Sequence, residues 1–362
     1  MHDENLIVYI DEQNETAWQI RRRQRAKSLE IATESYEKAC AINYEKGRVL
    51  SQVTLAVHDI YQADYEAALE KLLQTEGLIK DMDLPNWHVR ALNTFSFAYV
   101  NMGKHDCALP YLTLGIAEAK AHKINDMAVL LLYNLAEIYK SDAIKRYEEA
   151  NALLEQARVL SEQYLRDSLP LILASLAVCQ SYLGNKALMK TYVERALIAA
   201  SESEEMNSVD QCYHVLGELY LTEGDYPKCI EIVNKSISHQ KQYTQTFGLA
   251  NNDYLLARAY HQLGQDDLAY FHGSQAMSVA SELGMSIKGG VAQLLGTLSE
   301  ARGDFESAVK YMKIVLEENE KQYTLELKNQ ISVMSAELKN TQLQKDAEIY
   351  KLKNVELKDK SD

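Results

Sequence analysis

The chain has 362 residues, a formal net charge of −14 at pH 7 and only four prolines. Phosphate recognition requires a basic field, so this charge argues against nucleic acid as the main partner. The longest apolar run, from Met127 to Tyr133, is too short to cross a bilayer. The five cysteines form no C-x-x-C pair, which favours a reducing compartment. We expect a cytoplasmic protein that makes no membrane contact.

The N-terminal 46 residues precede any regular pattern. We expect residues 1–15 to be frayed and residues 16–46 to form a helical hairpin or a single long helix that covers the exposed edge of the segment after residue 46. A basic run lies within this helix. One interpretation, which we favour, is a solvated face that pairs with acidic neighbours; the other is an arm that binds nucleic acid. The run consists of Arg21, Arg22, Arg23, Arg25 and Lys27.

A small residue follows a bulky one at a nearly constant interval along most of the chain. This small residue, here called the anchor, recurs every 39 to 41 positions. In five of the seven segments a glycine follows seven positions after the anchor. A period of this length predicts stacked helical hairpins, in which each hairpin contacts only its neighbours. The anchors are Ala56, Ser96, Ala136, Ala177, Gly217, Ala257 and Gly296.

The spaced small residues and turn glycines resemble the tetratricopeptide repeat. Its signature is a bulky–small pair, a tyrosine, a turn glycine and then alanines such as Ala68, Ala108 and Ala269. The resemblance covers residues 47–316, although the usual repeat has only about 34 residues. It implies an all-α, tetratricopeptide-like, right-handed superhelical solenoid of seven hairpins, with capping helices in residues 1–46.

The last part of the chain, residues 317–362, predicts a coiled coil. From Phe305 to Lys360 there is neither glycine nor proline, and apolar residues alternate at spacings of four and three. The seam then changes phase. We expect a parallel homodimer through this helix; the alternative is that the helix folds back on the array. The predicted dimerisation residues are Leu327, Ile331, Met334, Leu338, Leu343, Tyr350 and Leu357.

The tail also resembles a connector found in bacterial signalling proteins. Residues 347–358, AEIYKLKNVELK, are similar to the segment that joins a tetratricopeptide sensor to a GGDEF diguanylate cyclase, an HD-type phosphodiesterase or a histidine kinase. The resemblance implies a sensor that controls an output domain, a diguanylate cyclase above the others. No motif of such an output domain occurs here, so we expect either a truncated sequence or a free-standing relative.

The sequence offers little that could carry catalysis. It contains no H-E-x-x-H, G-x-S-x-G, P-loop or G-x-G-x-x-G motif, and its nine histidines lack the spacing of metal ligands. We expect no catalytic residues, no metal and no cofactor within this chain.

The remaining candidate site is the concave groove that the resemblance implies. Residues three before, one after and four after each anchor share one helix face, which the first helix of each hairpin turns inward. Arg90 and Asn251, one turn earlier, belong to the same face. Their amides, rings and charges suit an extended peptide or protein segment, while hydrogen bonding between helices is an equally open interpretation. The predicted function is a sensory module that binds such a partner; the alternative is a stand-alone scaffold. The groove residues are Arg90, Asn93, Phe97, Tyr133, Glu137, Lys140, His214, Glu218, Asn251, Tyr254, Arg258 and His261.

Overall fold

All regular structure in the described part of the chain is helical. The structure, a computed structural model, describes residues 2–141, 144–203, 206–242, 247–283, 285 and 287–359. Side chains are described there except at residues 2–3, 206–208, 239–242, 247, 332, 336–344 and 346–359. The helices are α1 (His2–Ile20), α2 (Arg25–Ala41), α3 (Glu45–Tyr61), α4 (Tyr65–Asp81), α5 (Pro85–Asn101), α6 (His105–Ala121), α7 (Asn125–Lys140), α8 (Tyr147–Tyr164), α9 (Leu169–Tyr182), α10 (Lys186–Glu202), α11 (Met206–Thr222), α12 (Tyr226–Gln242), α13 (Phe247–Gln262), α14 (Asp266–Glu282), α15 (Lys288–Ala301) and α16 (Phe305–Asp359).

From α3 onward the helices alternate as the repeat predicts. All seven anchors lie on the first helix of a hairpin, α3 to α15 in odd numbers, and all seven are buried. Consecutive first helices contact one another, as α9 does with α11 and α11 with α13. Small residues at these positions let the helix backbones approach closely. The predicted all-α, tetratricopeptide-like solenoid with a long C-terminal helix is confirmed.

The turn after each first helix requires a left-handed residue. Gly103, Gly184, Gly224, Gly264 and Gly303 have φ between 69° and 77°. No atom lies within 4 Å of the position where a Cβ would stand on any of them, so conformation rather than space selects glycine. In the first repeat Ala63 occupies the same position with φ 59°, a conformation that is strained for a residue with a side chain.

The chain forms two compact units. Unit 1 consists of residues 1–131 together with 325–362, and unit 2 consists of residues 132–324. Each has its own apolar interior: Phe95 and Leu72 are fully buried in unit 1, and Leu154 and Ile172 are 1% exposed or less in unit 2. In the described part of the chain no helix is both long and apolar enough to cross a membrane.

The N-terminal segment differs from the prediction. The expectation that residues 1–15 are frayed is wrong, because α1 starts at His2 and Asn14 is fully buried. Its amide nitrogen donates to the Gly47 carbonyl, and its amide oxygen accepts from Ser51 Oγ at 2.7 Å. A single long helix over residues 16–46 is also excluded, since α1 ends at Ile20 and α2 begins at Arg25. The periodicity of residues 1–15 gave no sign of these polar contacts with α3.

Helix α9 is buried around its whole circumference. Every residue from Pro170 to Ala177 is buried, whereas the other first helices of unit 2 each retain a half-exposed face. The segment LPLILASLAV supplies apolar side chains at nearly every position, which suits a helix surrounded on all sides.

Helix α16 runs without a break from Phe305 to Asp359, as the absence of glycine and proline predicted. Its residues from 325 onward belong to unit 1, where Asn329 and Val333 are buried and Ser335 Oγ donates to Glu66 Oε1 at 2.8 Å. One face of the helix therefore packs within unit 1, as the alternative interpretation of this helix expected.

Candidate functional site

The predicted groove residues occupy half-exposed faces of the first helices. On α5 the residues Arg90, Asn93 and Phe97 are half-buried between fully buried neighbours. In unit 2 the same holds for the predicted residues of α7, α11 and α13. These are the helix faces that the spacing selected. The unit 2 residues are Tyr133, Glu137, Lys140, His214, Glu218, Asn251, Tyr254, Arg258 and His261.

Two of the predicted residues, on α7, form a compact polar cluster with α9. Lys140 Nζ donates to Glu137 Oε1 at 2.8 Å and to Ser175 Oγ at 3.2 Å. Ser175 Oγ in turn donates to the same Glu137 oxygen at 2.8 Å. The sequence prediction missed Ser175. Its sequence signal is a hydroxyl within the apolar run of α9, because a fully buried polar group requires a partner.

A second cluster joins α11 and α13. Arg258 Nη1 donates to Glu218 Oε1 at 2.6 Å, and its guanidinium lies 5.5 Å from the centroid of the Tyr254 ring. Burial raises the pKa of Tyr254 above its usual value, so its hydroxyl stays protonated and can act as a hydrogen-bond donor. The Tyr254 ring packs against Val291 and Leu295. The pair and the ring place a donor, an acceptor and a stacking surface side by side.

Glycine at position 290 makes room for the Tyr254 hydroxyl. A Cβ at Gly290 would lie 2.6 Å from that oxygen, closer than any ordinary contact. The neighbouring Gly289 has only Glu318 Cβ, at 3.5 Å, beside it. The location of the tyrosine ring therefore depends on a glycine of α15.

His214 has a nitrogen without a hydrogen-bond partner. Its Nδ1 is buried and makes no hydrogen bond in the described part of the molecule. Burial lowers the pKa of His214, Glu218 raises it and Arg258 lowers it, so the ring is neutral near pH 7. A neutral imidazole both donates and accepts, and an unsatisfied nitrogen beside the ion pair is a group that a bound amide can satisfy.

Other predicted residues have partners within the fold. Arg90 forms two hydrogen bonds to the Glu15 carboxylate, at 2.6 and 2.7 Å, and its guanidinium lies 4.5 Å from the Trp87 ring centroid. His261 Nδ1 lies 2.9 Å from Asp266 Oδ1, within the α13–α14 hairpin. The structure thus brings together the residues of α11 and α13 and keeps Arg90 and His261 in contacts between helices. Asn251 is half-buried beside them.

The predicted dimerisation residues divide between described and undescribed side chains. Leu327, Ile331 and Met334 are exposed by 42%, 66% and 62%, a large fraction for apolar residues in the middle of a helix. Leu338, Leu343, Tyr350 and Leu357 lie outside the residues whose side chains the structure describes. The exposed seam lies on a different face from buried Val333, so the first part of the predicted interface is open.

In the ranges described, no group of three histidine, cysteine, aspartate or glutamate side chains could hold a metal ion. The clusters above are ion pairs and hydrogen bonds between helices. Such an arrangement can bind a polar segment through donors, acceptors and ring faces.

Comparison with known proteins supports the fold. No protein-family model matches the chain, and no curated protein matches it in sequence. A Rap protein solved in complex with Competence and Sporulation Factor matches with a TM-score of 0.64 at 12% identity, over 90% of this chain and 89% of that one. The apo form of RapI matches with a TM-score of 0.58 at 13% identity, over 77% and 98%. The apo quorum sensor NprR from B. thuringiensis matches with a TM-score of 0.53 at 14% identity, over 88% and 99%. At these identities the similarity shows a shared helical repeat fold.

Proposed function

We propose that this chain is a non-catalytic regulatory module that binds an extended peptide or protein segment on the inner face of unit 2. The observation that carries the proposal is the convergence of His214, Glu218, Tyr254 and Arg258 on two consecutive first helices. Together they offer a neutral imidazole, a carboxylate, a phenol and a guanidinium within one half-exposed surface. A backbone that passes over this surface finds donors and acceptors at the spacing of successive helices.

The ion pair gives this surface its specificity. Glu218 and Arg258 are about equally exposed, by 38% and 36%, so each keeps hydrogen-bonding capacity beyond their mutual contact. A partner segment that carries opposite charges in sequence can bond to both of them, and an apolar segment would leave both partly desolvated without compensation. The similarity to a Rap protein solved with Competence and Sporulation Factor adds support by analogy of fold alone.

A random peptide library displayed on phage tests the site directly. Peptides enriched on the wild-type protein are expected to bind the double variant Glu218→Gln, Arg258→Gln about tenfold or more weakly, since charge-assisted hydrogen bonds are lost. The double change leaves no isolated charge, so the fold is expected to persist. A matched control is Glu231→Gln, Lys235→Gln, which removes the exposed ion pair on the outer helix α12. Equal binding to both double variants would contradict the proposal.

The second part of the proposal concerns the relay of this binding. The exposed seam of Leu327, Ile331 and Met334 supports a parallel homodimer through α16 that carries the binding state to an output domain, a diguanylate cyclase above the others. The similarity of the tail to signalling connectors adds to this. A stand-alone scaffold remains the alternative, and it needs no dimer.

Light scattering on the full chain separates these two alternatives. We expect a dimer for the wild type and a monomer for Ile331→Glu, because a charge within the seam is not accommodated. Gln322→Glu, which adds a charge at an exposed position on the opposite side of the same helix, is the control. A monomeric wild type at high concentration would remove the relay and favour the scaffold.

A further inference from the structure

The turn between α1 and α2 holds an arginine without a carboxylate partner. The Arg21 guanidinium lies 3.6 Å from the Trp18 ring centroid, and its Nη1 donates to the Trp18 carbonyl at 2.6 Å. In the described part of unit 1 it makes no ion pair. Arg90, which lies over the same tryptophan, is bound instead by both oxygens of Glu15. The chain carries 52 aspartates and glutamates, so acidic residues are not scarce.

An unpaired charge on Arg21 costs free energy, because the residue is half-buried and its guanidinium is partly removed from water. Its pKa is lowered to about 9, mainly by burial; Tyr61 and Asp126 oppose the shift, while Arg22 and Arg90 add to it. Asp126 is thus the carboxylate that acts on Arg21, yet the two form no ion pair. A cation held in such surroundings is stabilised strongly by any anion that reaches it.

Further cations follow this arginine in the chain. Arg22, Arg25 and Lys27 are exposed, and no ion pair involves them among the described residues. The Arg25 guanidinium lies 4.2 Å from the centroid of the Tyr61 ring, which in turn contacts Phe97 edge-on at 6.0 Å. Of the basic run predicted as a solvated face, Arg22 and Lys27 are exposed as expected, whereas Arg21 lies against a tryptophan and Arg25 against a tyrosine.

The histidine beneath the run adds no charge of its own. Ser28 Oγ donates to the Ala17 carbonyl at 2.7 Å, so His58 Nε2, 2.9 Å from that oxygen, must be the donor. Burial lowers the pKa of His58 to about 4, helped by Arg25 and Arg21. The site thus keeps its charge on guanidinium and ammonium groups, and its charge does not change across neutral pH.

We infer that Arg21, Arg22, Arg25 and Lys27 form a binding site for the carboxylates of an acidic peptide segment of a partner protein. Guanidinium groups bind carboxylates through paired hydrogen bonds, as Arg90 and Glu15 do in the same unit. A short acidic segment feels chiefly the charges within a Debye length of about 10 Å. A long polyanion would also meet the net charge of −14, so we favour the short segment.

The molecule carries its own reporter for this site. Its two tryptophans are Trp18 and Trp87, with ring centroids 5.8 Å apart; Trp18 lies beside Arg21, and Trp87 lies beside Arg90. A ligand that draws Arg21 away from the Trp18 ring changes tryptophan emission, and no tryptophan elsewhere in the chain obscures that change.

The experiment titrates the full chain with a short polyglutamate peptide and follows tryptophan emission, with polyglutamine as the uncharged probe. We expect saturable binding of polyglutamate alone, weakened by added salt. Arg21→Gln and Arg25→Gln should each weaken it about tenfold. Arg166→Gln, at a position that is 78% exposed in unit 2, should leave it unchanged. Because Arg25 is exposed, its variant keeps the test open if Arg21→Gln does not fold.

Three results would overturn the inference. Polyglutamate could fail to bind, it could bind with equal affinity to both arginine variants and the wild type, or a single-stranded RNA oligonucleotide could bind more tightly at the same residues. The peptide library that tests the unit 2 face uses different variants, so failure of one proposal leaves the other standing.

Discussion

A leucine at Gly217 is the sharpest test of the helix crossings. A Cβ at this position would lie 3.2 Å from both Leu255 Cδ1 and Val233 Cγ2, whereas carbon atoms in good contact are about 3.5–4.0 Å apart. The remaining leucine atoms have no space unless α11 moves away from its neighbours. Overpacking of this kind costs about 1–3 kcal/mol. Leucine gains close to 1 kcal/mol of helix propensity over glycine, which conceals part of that cost.

Gly77→Leu is the matched control for Gly217→Leu. Gly77 lies within α4, is exposed and has no atom within 4 Å of its Cβ position, so leucine there brings the propensity gain without overpacking. The difference in unfolding free energy between the two variants therefore measures the cost of overpacking at the helix crossing, about 1–3 kcal/mol. Thermal unfolding followed by far-ultraviolet circular dichroism measures it. Equal midpoints for the two variants would refute the packing register of α11.

Three further outcomes are expected. Ala63→Gly should raise the thermal midpoint, because left-handed alanine costs about 1 kcal/mol more than glycine at that turn; an unchanged or lower midpoint would count against strain there. The carboxylates of Glu76 and Glu118 raise the pKa of buried His88, so its stabilising effect is complete below about pH 6.5 and is lost as the pH rises through the folded-state pKa. His88→Gln should make the thermal midpoint less dependent on pH above that value. An equally steep fall of the midpoint with pH in the variant would exclude the histidine as its cause. Exposed Cys40 should react rapidly with a thiol reagent, whereas burial raises the pKa of the three buried thiols to about 11 or 12 and should delay them until unfolding; immediate reaction of all thiols would contradict their burial. The buried thiols are Cys179, Cys212 and Cys229.

The sequence allowed the repeats to be predicted because every hairpin obeys the same packing rule. A small anchor is needed wherever a first helix crosses a neighbouring helix, so the period of the anchors located the helices. Packing that recurs in every hairpin leaves a periodic pattern of residues, and such a pattern can be detected in a single sequence.

The features that the sequence did not reveal depend on contacts between distant residues. Asn14 is buried because it bonds with Gly47 and Ser51, and nothing in residues 1–15 indicates those partners. The ion pair between Arg90 and Glu15 joins residues 75 positions apart, and no periodic pattern in the sequence indicates it either. For the candidate site, spacing grouped residues that share a half-exposed helix face, but it could not distinguish residues held by partners from those that keep free hydrogen-bonding capacity.

The burial of helix α9 determines how the amide protons of unit 2 can exchange with solvent. In most helices an amide can exchange its proton when a turn frays toward water, at a cost well below that of unfolding. The residues from Leu171 to Ala177 are all buried, so exposing one of their amides requires the helices around α9 to separate. The slowest deuterium exchange of unit 2 should therefore lie in this one helix, and its rate should measure the free energy that holds the whole unit together.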